Sequence, residues 1–405
     1  DRLQELANQH ATLRAMLGHA DGWDKTPYAM QTLVDNVSLL RPQVLAQINH
    51  VLVDAGHQLV KKKPGALFLK GRCDSFVVET DVHYPTDTNL LWDAIRSLIT
   101  QAMRACDELN LPGWRQGAYH VRETKKALRN TQNIRPSTSA DENKRAAKRA
   151  QIQAAHCTYL NKARDMVEKG KGTVVQLMEK DALLLTGTRH LVETLTPWIH
   201  DTERKIDQIE RRVLNGEVIP HDQKVFSLFE RHTEWISKGK AGVPVELGVR
   251  VCVLEDQHQF ILHHRVMWKE TDDKVAVAMV SQAQERYPDL KQCSFDKGFH
   301  TPSSQTELKT MLEHVVLPKK GRRSQSDQAR EGDDVFKQAR RQHCAVESCI
   351  NNLEQRGLDR CYSYGRDGFE RHVALAVVAC NLHRIGLILQ RQEKARLQKT
   401  ERRAA

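Results

Sequence analysis

Three acidic residues occupy positions from which carboxylates could be aimed at a common point. Glu347 lies in the run His343-Cys344-Ala345-Val346-Glu347-Ser348-Cys349-Ile350-Asn351-Asn352-Leu353-Glu354. It borders a helical apolar stripe of Val346, Cys349, Ile350 and Leu353, so its side chain can point into a site. Asp296 ends a short apolar segment and opens Asp296-Lys297-Gly298-Phe299. Asp74 falls where Leu67-Phe68-Leu69 gives way to Ser75-Phe76-Val77-Val78. Acids on three separate elements are the ligand set that a two-metal, phosphodiester-cleaving centre requires. Such cleavage must deprotonate a water and absorb charge on the attacking and leaving oxygens, and two divalent ions about 3.5–4 Å apart do both. Hard ions prefer carboxylate oxygens, and Mg²⁺ keeps some of its waters, so a few protein ligands suffice. In this reading Asp74 bridges two Mg²⁺ or Mn²⁺ ions, Asp296 binds one and Glu347 the other. Each acid also has an ordinary reading: a turn residue at a strand end for Asp74 and Asp296, a helix-surface acid for Glu347. Asp81 and Asp87 compete for the first position. Asp74 is preferred because it follows directly on the apolar run, whereas Asp87 or Thr88 suits a helix cap.

The elements that must position these acids are legible from periodicity. Residues 1–60 keep helical spacing at Leu3, Leu6, Ala7, His10 and Leu13, and again from Leu33 to Leu52. The basic turn Lys61-Lys62-Lys63-Pro64-Gly65 leads into a strand from Ala66 to about Asp74. Leu90, Leu91, Ala94, Ile95, Leu98, Ile99 and Met103 line one side of a helix that Pro112-Gly113 stops. A basic helical stretch follows, broken near Arg135-Pro136 and restarting at a capping box of Ser139 with Glu142. Two further helical segments run from about Thr173 to Asn215-Gly216, with Pro197 at their junction. The period then changes. Leu247, Val249, Val251 and Val253 alternate with other residues, and Phe260-Ile261-Leu262 returns toward Trp268, which predicts a hairpin. Trp235 and Trp268 read as core or sheet-face residues. A helix over 274–287, a strand into Asp296, a helix over 303–312 and a strand over 314–317 follow. The basic loop Lys319-Lys320-Gly321-Arg322-Arg323-Ser324, the Glu347 helix and an apolar helix from Val373 to Leu389 complete the chain. The pattern predicts an α/β fold, a mixed sheet flanked by helices with a large helical insertion after the first strand.

The composition bounds the partners. The 405 residues carry 40% hydrophobic and 28% charged residues, enough for two or three domains with a sizeable core. No uninterrupted apolar stretch approaches roughly 18 residues, which argues against a membrane span. The sequence begins in a helix-like run without a Met, and we expect the natural N-terminus to lie upstream. The net charge of +11 favours a polyanionic partner. Between His120 and Gly172 there are 13 Lys and Arg against 5 acids, Lys144, Arg145, Lys148 and Arg149 among them, so most of the excess sits there. That run is either a solvated helix face or a nucleic-acid surface. The nine cysteines include no Cys-x-x-Cys pair and fit reduced thiols in a cytosol. His343, Cys344, Cys349, Cys361 and His372 match no zinc spacing.

Three segments together resemble the DDE transposases of bacterial insertion sequences, whose catalytic domain is RNase H-like. Asp74-Ser75-Phe76-Val77-Val78-Glu79-Thr80-Asp81-Val82-His83-Tyr84-Pro85-Thr86-Asp87 is similar to the family's first-Asp segment. Asp296-Lys297-Gly298-Phe299 is similar to the second-Asp segment. Ala345-Val346-Glu347, followed by Asn352-Leu353-Glu354 and Asn381-Leu382-His383-Arg384, is similar to the Glu segment. His343 stands where many relatives carry Arg, and Glu354 where a Lys or Arg is often found. The element pattern divides off an N-terminal helical region at 1–63, a basic helical insertion at 88–216 and a charged tail at 391–405, and the resemblance implies an RNase H-like domain at 64–87 and 217–390. It also implies Asp74, Asp296 and Glu347 as catalytic metal ligands, with water attack at the element's end and then 3′-hydroxyl attack on target DNA. The implied partners are terminal inverted repeats and target DNA bound by a homodimer, in a bacterial cytoplasm and on the nucleoid. Lys319, Lys320, Arg322 and Arg323 either track phosphates or form a solvated loop. Competing readings are another RNase H-like nuclease and a non-catalytic DNA-binding protein that keeps the fold.

Overall fold

The computed structural model describes residues 2–19, 26–60, 68–184, 188–237 and 244–404. Four helices open the chain: α1 (Arg2–Gln9), α2 (Ala11–Met16), α3 (Met30–Leu39) and α4 (Pro42–Leu59). Strand β1 (Leu69–Thr80) precedes four more helices, α5 (Asp87–Glu108), α6 (Gly117–Asn133), α7 (Glu142–Leu184) and α8 (Arg189–Ile209). The sheet resumes with β2 (Glu234–Ser237), β3 (Val245–Asp256) and β4 (Ile261–Met267). Then come α9 (Asp272–Arg286), β5 (Leu290–Phe295), α10 (Pro302–Met311) and β6 (His314–Val316). Helices α11 (Gln325–Gly332), α12 (Asp334–His343) and α13 (Ala345–Leu353), strand β7 (Arg360–Cys361) and α14 (Gly365–Ala404) finish it. Two compact units result: residues 1–81 with 234–405, and residues 82–233.

The first unit is a mixed sheet in the order β2-β3-β1-β5-β6, with β4 also pairing β3 and β7 also pairing β1. Strand β1 is antiparallel to β3 and parallel to β5. Alternation along β1 and β3 divides their side chains between two cores. Cys73, Cys252 and Leu254 join the helix α9 residues Ala276, Met279 and Val280 on one face. Phe76, Val78, Val249, Val251 and Val253 join Val346 and Leu353 of α13 and Val373 and Val377 of α14 on the other. Asn381 of α14 substitutes for a strand partner at the start of β4. Its Oδ1 accepts the Ile261 N–H at 2.9 Å, and its Nδ2 donates to the Ile261 carbonyl at 3.0 Å and to Asn49 Oδ1 at 2.7 Å. By length and composition α14 could also cross a membrane, although its sequence has no uninterrupted apolar run of that size. Its Phe369, Val373, Val377 and Asn381 are buried.

The second unit is helical. Leu91, Ile95, Leu98 and Ile99 of α5 pack with Tyr159, Leu160 and Ala163 of α7 and with Leu195 and Ile199 of α8. Trp114 donates its indole N–H to Thr173 Oγ1 at 2.8 Å, and the Lys169 ammonium sits 4.5 Å from its ring centre.

Several expected boundaries move. The basic turn at 61–65 lies outside the described residues. β1 runs on through Phe76-Val77-Val78 to Thr80, so Asp74 is inside a strand and not at its end. Thr86 caps α5, accepting the Asn89 N–H at 3.2 Å, while Asp87 pairs with Arg212 at 2.6 Å. Asp141 replaces Ser139 as the cap of α7: its Oδ1 accepts the Asn143 N–H at 2.9 Å, and its carbonyl takes the Arg145 N–H. Pro197 lies inside α8, where the buried stripe of Leu195, Ile199 and Ile206 offsets the roughly 3 kcal/mol an internal proline costs. Strands β2 and β7 and the separate helices α11 and α12 are short elements that periodicity does not reveal. Residues 391–404 continue α14 as helix.

Gly248 marks the closest approach in the sheet. A Cβ there would lie 2.1 Å from the Val78 carbonyl oxygen and 2.8 Å from Glu79 Cα, both backbone atoms that cannot swing aside. Gly248→Ala is therefore expected to destabilise the first unit by about 2 kcal/mol or more, read as a lowered urea midpoint. An unchanged midpoint would contradict the packing described here.

Candidate functional site

The site forms where β5 stops and β1 continues. The β1–β5 ladder ends at Cys73 opposite Phe295, and the chain then turns at Asp296 into a short helical turn, Lys297–Phe299. Asp74 and Asp296 are thus the next residues in register, on strands roughly 4.8 Å apart. β7 joins the same side of β1 only at Glu79, opposite Arg360, which leaves the edge open between. Helix α13 lies over this stretch. Val346, Cys349 and Leu353 are buried against Phe76 and Val78, which turns Glu347 outward to the rim. A cleft of about 470 Å³ is lined by Asp74, Ser75, Arg250, Glu347, Asn351 and Glu354, among others.

The charges in this region act on one another. The Asp74 carboxyl is pushed up to about 6, chiefly by burial. The Ser75 N–H, donating to its Oδ1 at 2.8 Å, opposes the rise, while the charges of Asp296, Asp272 and Glu347 add to it. Asp74, Asp296 and Glu347 make no ion pair among the described residues, in a chain with 62 Lys and Arg. The rival acids differ: Asp81 lies 3.8 Å from Arg360, and Asp87 is bound by Arg212.

Asp272 is the site residue that sequence reasoning missed. As the first residue of α9 it reads as an ordinary acid complementing a helix N-terminus. In the fold its Oδ1 accepts the Ser75 hydroxyl at 2.6 Å. A Cβ on Gly298 would come within 2.9 Å of its Oδ2, so the glycine after Asp296-Lys297 leaves room for this carboxylate. His343 fixes α12 to the sheet beside the site, with Nδ1 at 3.0 Å from Ser294 Oγ. Burial pulls its pKa down to about 4 against the raising influence of Asp296, so the ring is neutral near pH 7.

No protein-family model, curated protein or solved structure matches this chain. The donor chemistry must therefore be judged from the residues. The three acids without cationic partners are hard oxygen donors of the kind Mg²⁺ or Mn²⁺ prefers. Among the described residues no group of three His, Cys, Asp or Glu side chains already stands close enough to hold an ion. The exposed Asp296 and Glu347 side chains have room to rotate.

Several of the predicted basic residues are held by contacts of their own. Glu331 accepts the Lys319 backbone N–H at 2.7 Å and pairs with Arg323 at 3.0 Å, while Lys320 and Arg322 are exposed. In α7, Glu142 binds both Arg145 and Arg149, and Lys148 donates to Gln151 at 3.2 Å. Lys144 is exposed.

The raised Asp74 group has a consequence for stability. The folded chain keeps this proton up to about pH 6, whereas an unfolded aspartate releases it near pH 4, so the group's contribution falls as pH rises between those values. Without divalent ions, Asp74→Asn should stabilise the fold by about 1 kcal/mol near neutral pH, after discounting for partial exposure. The gain should shrink on acidification toward about pH 4. Paired urea titrations at the two pH values check this. Equal stability of both proteins near neutral pH would show that the carboxylate is not under strain.

Proposed function

We propose that the chain is a DDE-type DNA transposase that cleaves at the ends of an insertion sequence and joins the freed 3′-hydroxyl to target DNA. The observation that carries the reading is that Asp74 and Asp296 are next in register while Asp74 and Glu347 line one cleft. None of the three acids has a cationic partner among the described residues. Carboxylates without cationic partners, inside a strongly basic chain, fit a site for bound cations better than a structural one. Asp74, Asp296 and Glu347 would hold two Mg²⁺ or Mn²⁺ ions, which when bound supply charge neutralisation and a more acidic water. The chain's own part is to fix the acids. The β1–β5 register sets two of them, Phe76 and Val78 seat the helix that carries the third, and His343 holds the preceding helix against Ser294.

The mixed sheet flanked by helices supports an RNase H-like domain in this reading, and the resemblance of the three acid segments supports the transposase class. The net charge of +11 supports DNA as the partner, through terminal repeats and target. Joining two ends calls for two protomers, so a homodimer on DNA is part of the proposal, as is a bacterial cytoplasmic location on the nucleoid.

The test uses linear DNA bearing the sequences that flank the gene, incubated with the protein and Mg²⁺. Strand nicks at matched inverted repeats and joined products are expected. Asp74→Ala, Asp296→Ala and Glu347→Ala should each lower the nicking rate by on the order of a hundredfold or more, with urea stability no lower than about 1 kcal/mol below wild type. Undiminished nicking in any one of them would remove that acid from the centre. Cleavage without joining would reassign the chain to a nuclease, and binding without metal-dependent products to a non-catalytic DNA-binding protein.

A further inference from the structure

The cleft that contains Asp74 and Glu347 is lined by a single basic side chain among the described residues, Arg250. Arg250 sits on β3 opposite Val77 of β1, so it projects from the face of Ser75 and Val77, which line the cleft with it, while Asp74 alternates to the face of Phe76 and Val78. The position is therefore fixed by the middle of the sheet and not by a loop. The side chain is half-buried and makes no ion pair or hydrogen bond among the described residues, even though three carboxylates, Asp74, Glu347 and Glu354, line the same cleft. A partly desolvated guanidinium without a partner is unfavourable, and its planar fork of N–H donors matches the oxygens of a phosphodiester.

We propose that Arg250 is a positioning residue that binds a backbone phosphate of the DNA strand entering this cleft. The inference rests on the nuclease-type reading of the three acids. Once cations neutralise Asp74, Asp296 and Glu347, Glu354 is the one carboxylate of the lining left charged, and Arg250 is the basic side chain there able to fix a substrate phosphate from the sheet. Lysine at this position would keep the charge but lose the two-pronged geometry.

The test measures affinity of the full chain for a labelled random-sequence duplex across a series of salt concentrations. Ca²⁺ replaces Mg²⁺ as an oxygen-seeking ion that satisfies the acids. Arg250→Gln and Arg250→Met should each reduce the slope of log K against log salt by about 0.7–0.9, the signature of one lost phosphate contact, while thermal midpoints stay near wild type. Arg250→Lys should retain the wild-type slope. An unchanged slope in both the Gln and Met variants, or a Lys variant that loses as much slope as Gln, would overturn the proposal. The outcomes separate from those of the parent reading. Unchanged slopes with metal-dependent nicking intact sink only the role of Arg250, whereas wild-type protein that binds no DNA sinks the transposase reading itself.

Discussion

The geometry of the first unit depends on a mismatch in strand length. β1 spans twelve residues, but its parallel partner β5 spans six and leaves the ladder at Phe295. Past that point one edge of β1 has no neighbouring strand among the described residues until β7 pairs with Glu79 and Thr80. The apolar side chains of this stretch, Phe76 and Val78, still need cover on the face they share. Helix α13 supplies the cover through Val346, Cys349 and Leu353. The same rotation that buries those residues leaves Glu347 facing outward, since positions 346, 349 and 353 share a helical face that 347 borders. Burial of the apolar stripe and presentation of the acid are one event.

The acids are kept in place by a second layer of contacts. Ser75 links the two sides of β1: its N–H donates to the Asp74 carboxylate and its hydroxyl to Asp272. Gly298 matters for what it lacks, since any side chain there would strike Asp272. His343 is neutral near pH 7 and bonded to Ser294, so it brings no positive charge toward Asp296. A cationic group paired with Asp74 would relieve the burial penalty on its carboxylate. Such groups do reach Asp81 and Asp87. The contrast between paired and unpaired acids in one chain is what the proposed cation site rests on.

Long, strongly periodic elements were legible in the sequence: the helices between β1 and the hairpin, the hairpin itself, and the alternation of α9, β5, α10 and β6. The three acids stand out in the sequence because each sits at a change of hydrophobic pattern. What stayed hidden has physical causes. Strands of two to four residues, such as β2 and β7, are too short to show a period and exist because β3 and β1 offer them an edge. The cap of α7 was misplaced because Ser139 and Asp141 both satisfy the local rule, and only the backbone path selects Asp141. Asp272 was indistinguishable from a routine N-terminal acid, and its neighbours Ser75 and Gly298 come from distant parts of the chain.

Formal charge is a poor guide to how many basic side chains are unpaired. Of the four basic residues at the head of α7, two are bound by Glu142, and in the loop after β6 Arg323 is bound by Glu331. Such exposed pairs are individually weak, typically about 0–1 kcal/mol, so a phosphate can displace the carboxylate. It must then overcome the pair as well as the desolvation of its own oxygens. Unpaired bases contribute without that competition. Arg250 differs from Lys320 and Arg322 in a further respect: strand pairing fixes its backbone, whereas theirs belongs to a loop containing Gly321 at φ 87°. Ordering an exposed loop lysine on a phosphate costs conformational entropy that a half-buried side chain on a central strand has largely lost already. In the proposed reading, the exposed bases serve for diffuse attraction of a polyanion and the sheet-borne arginine for placing one phosphate.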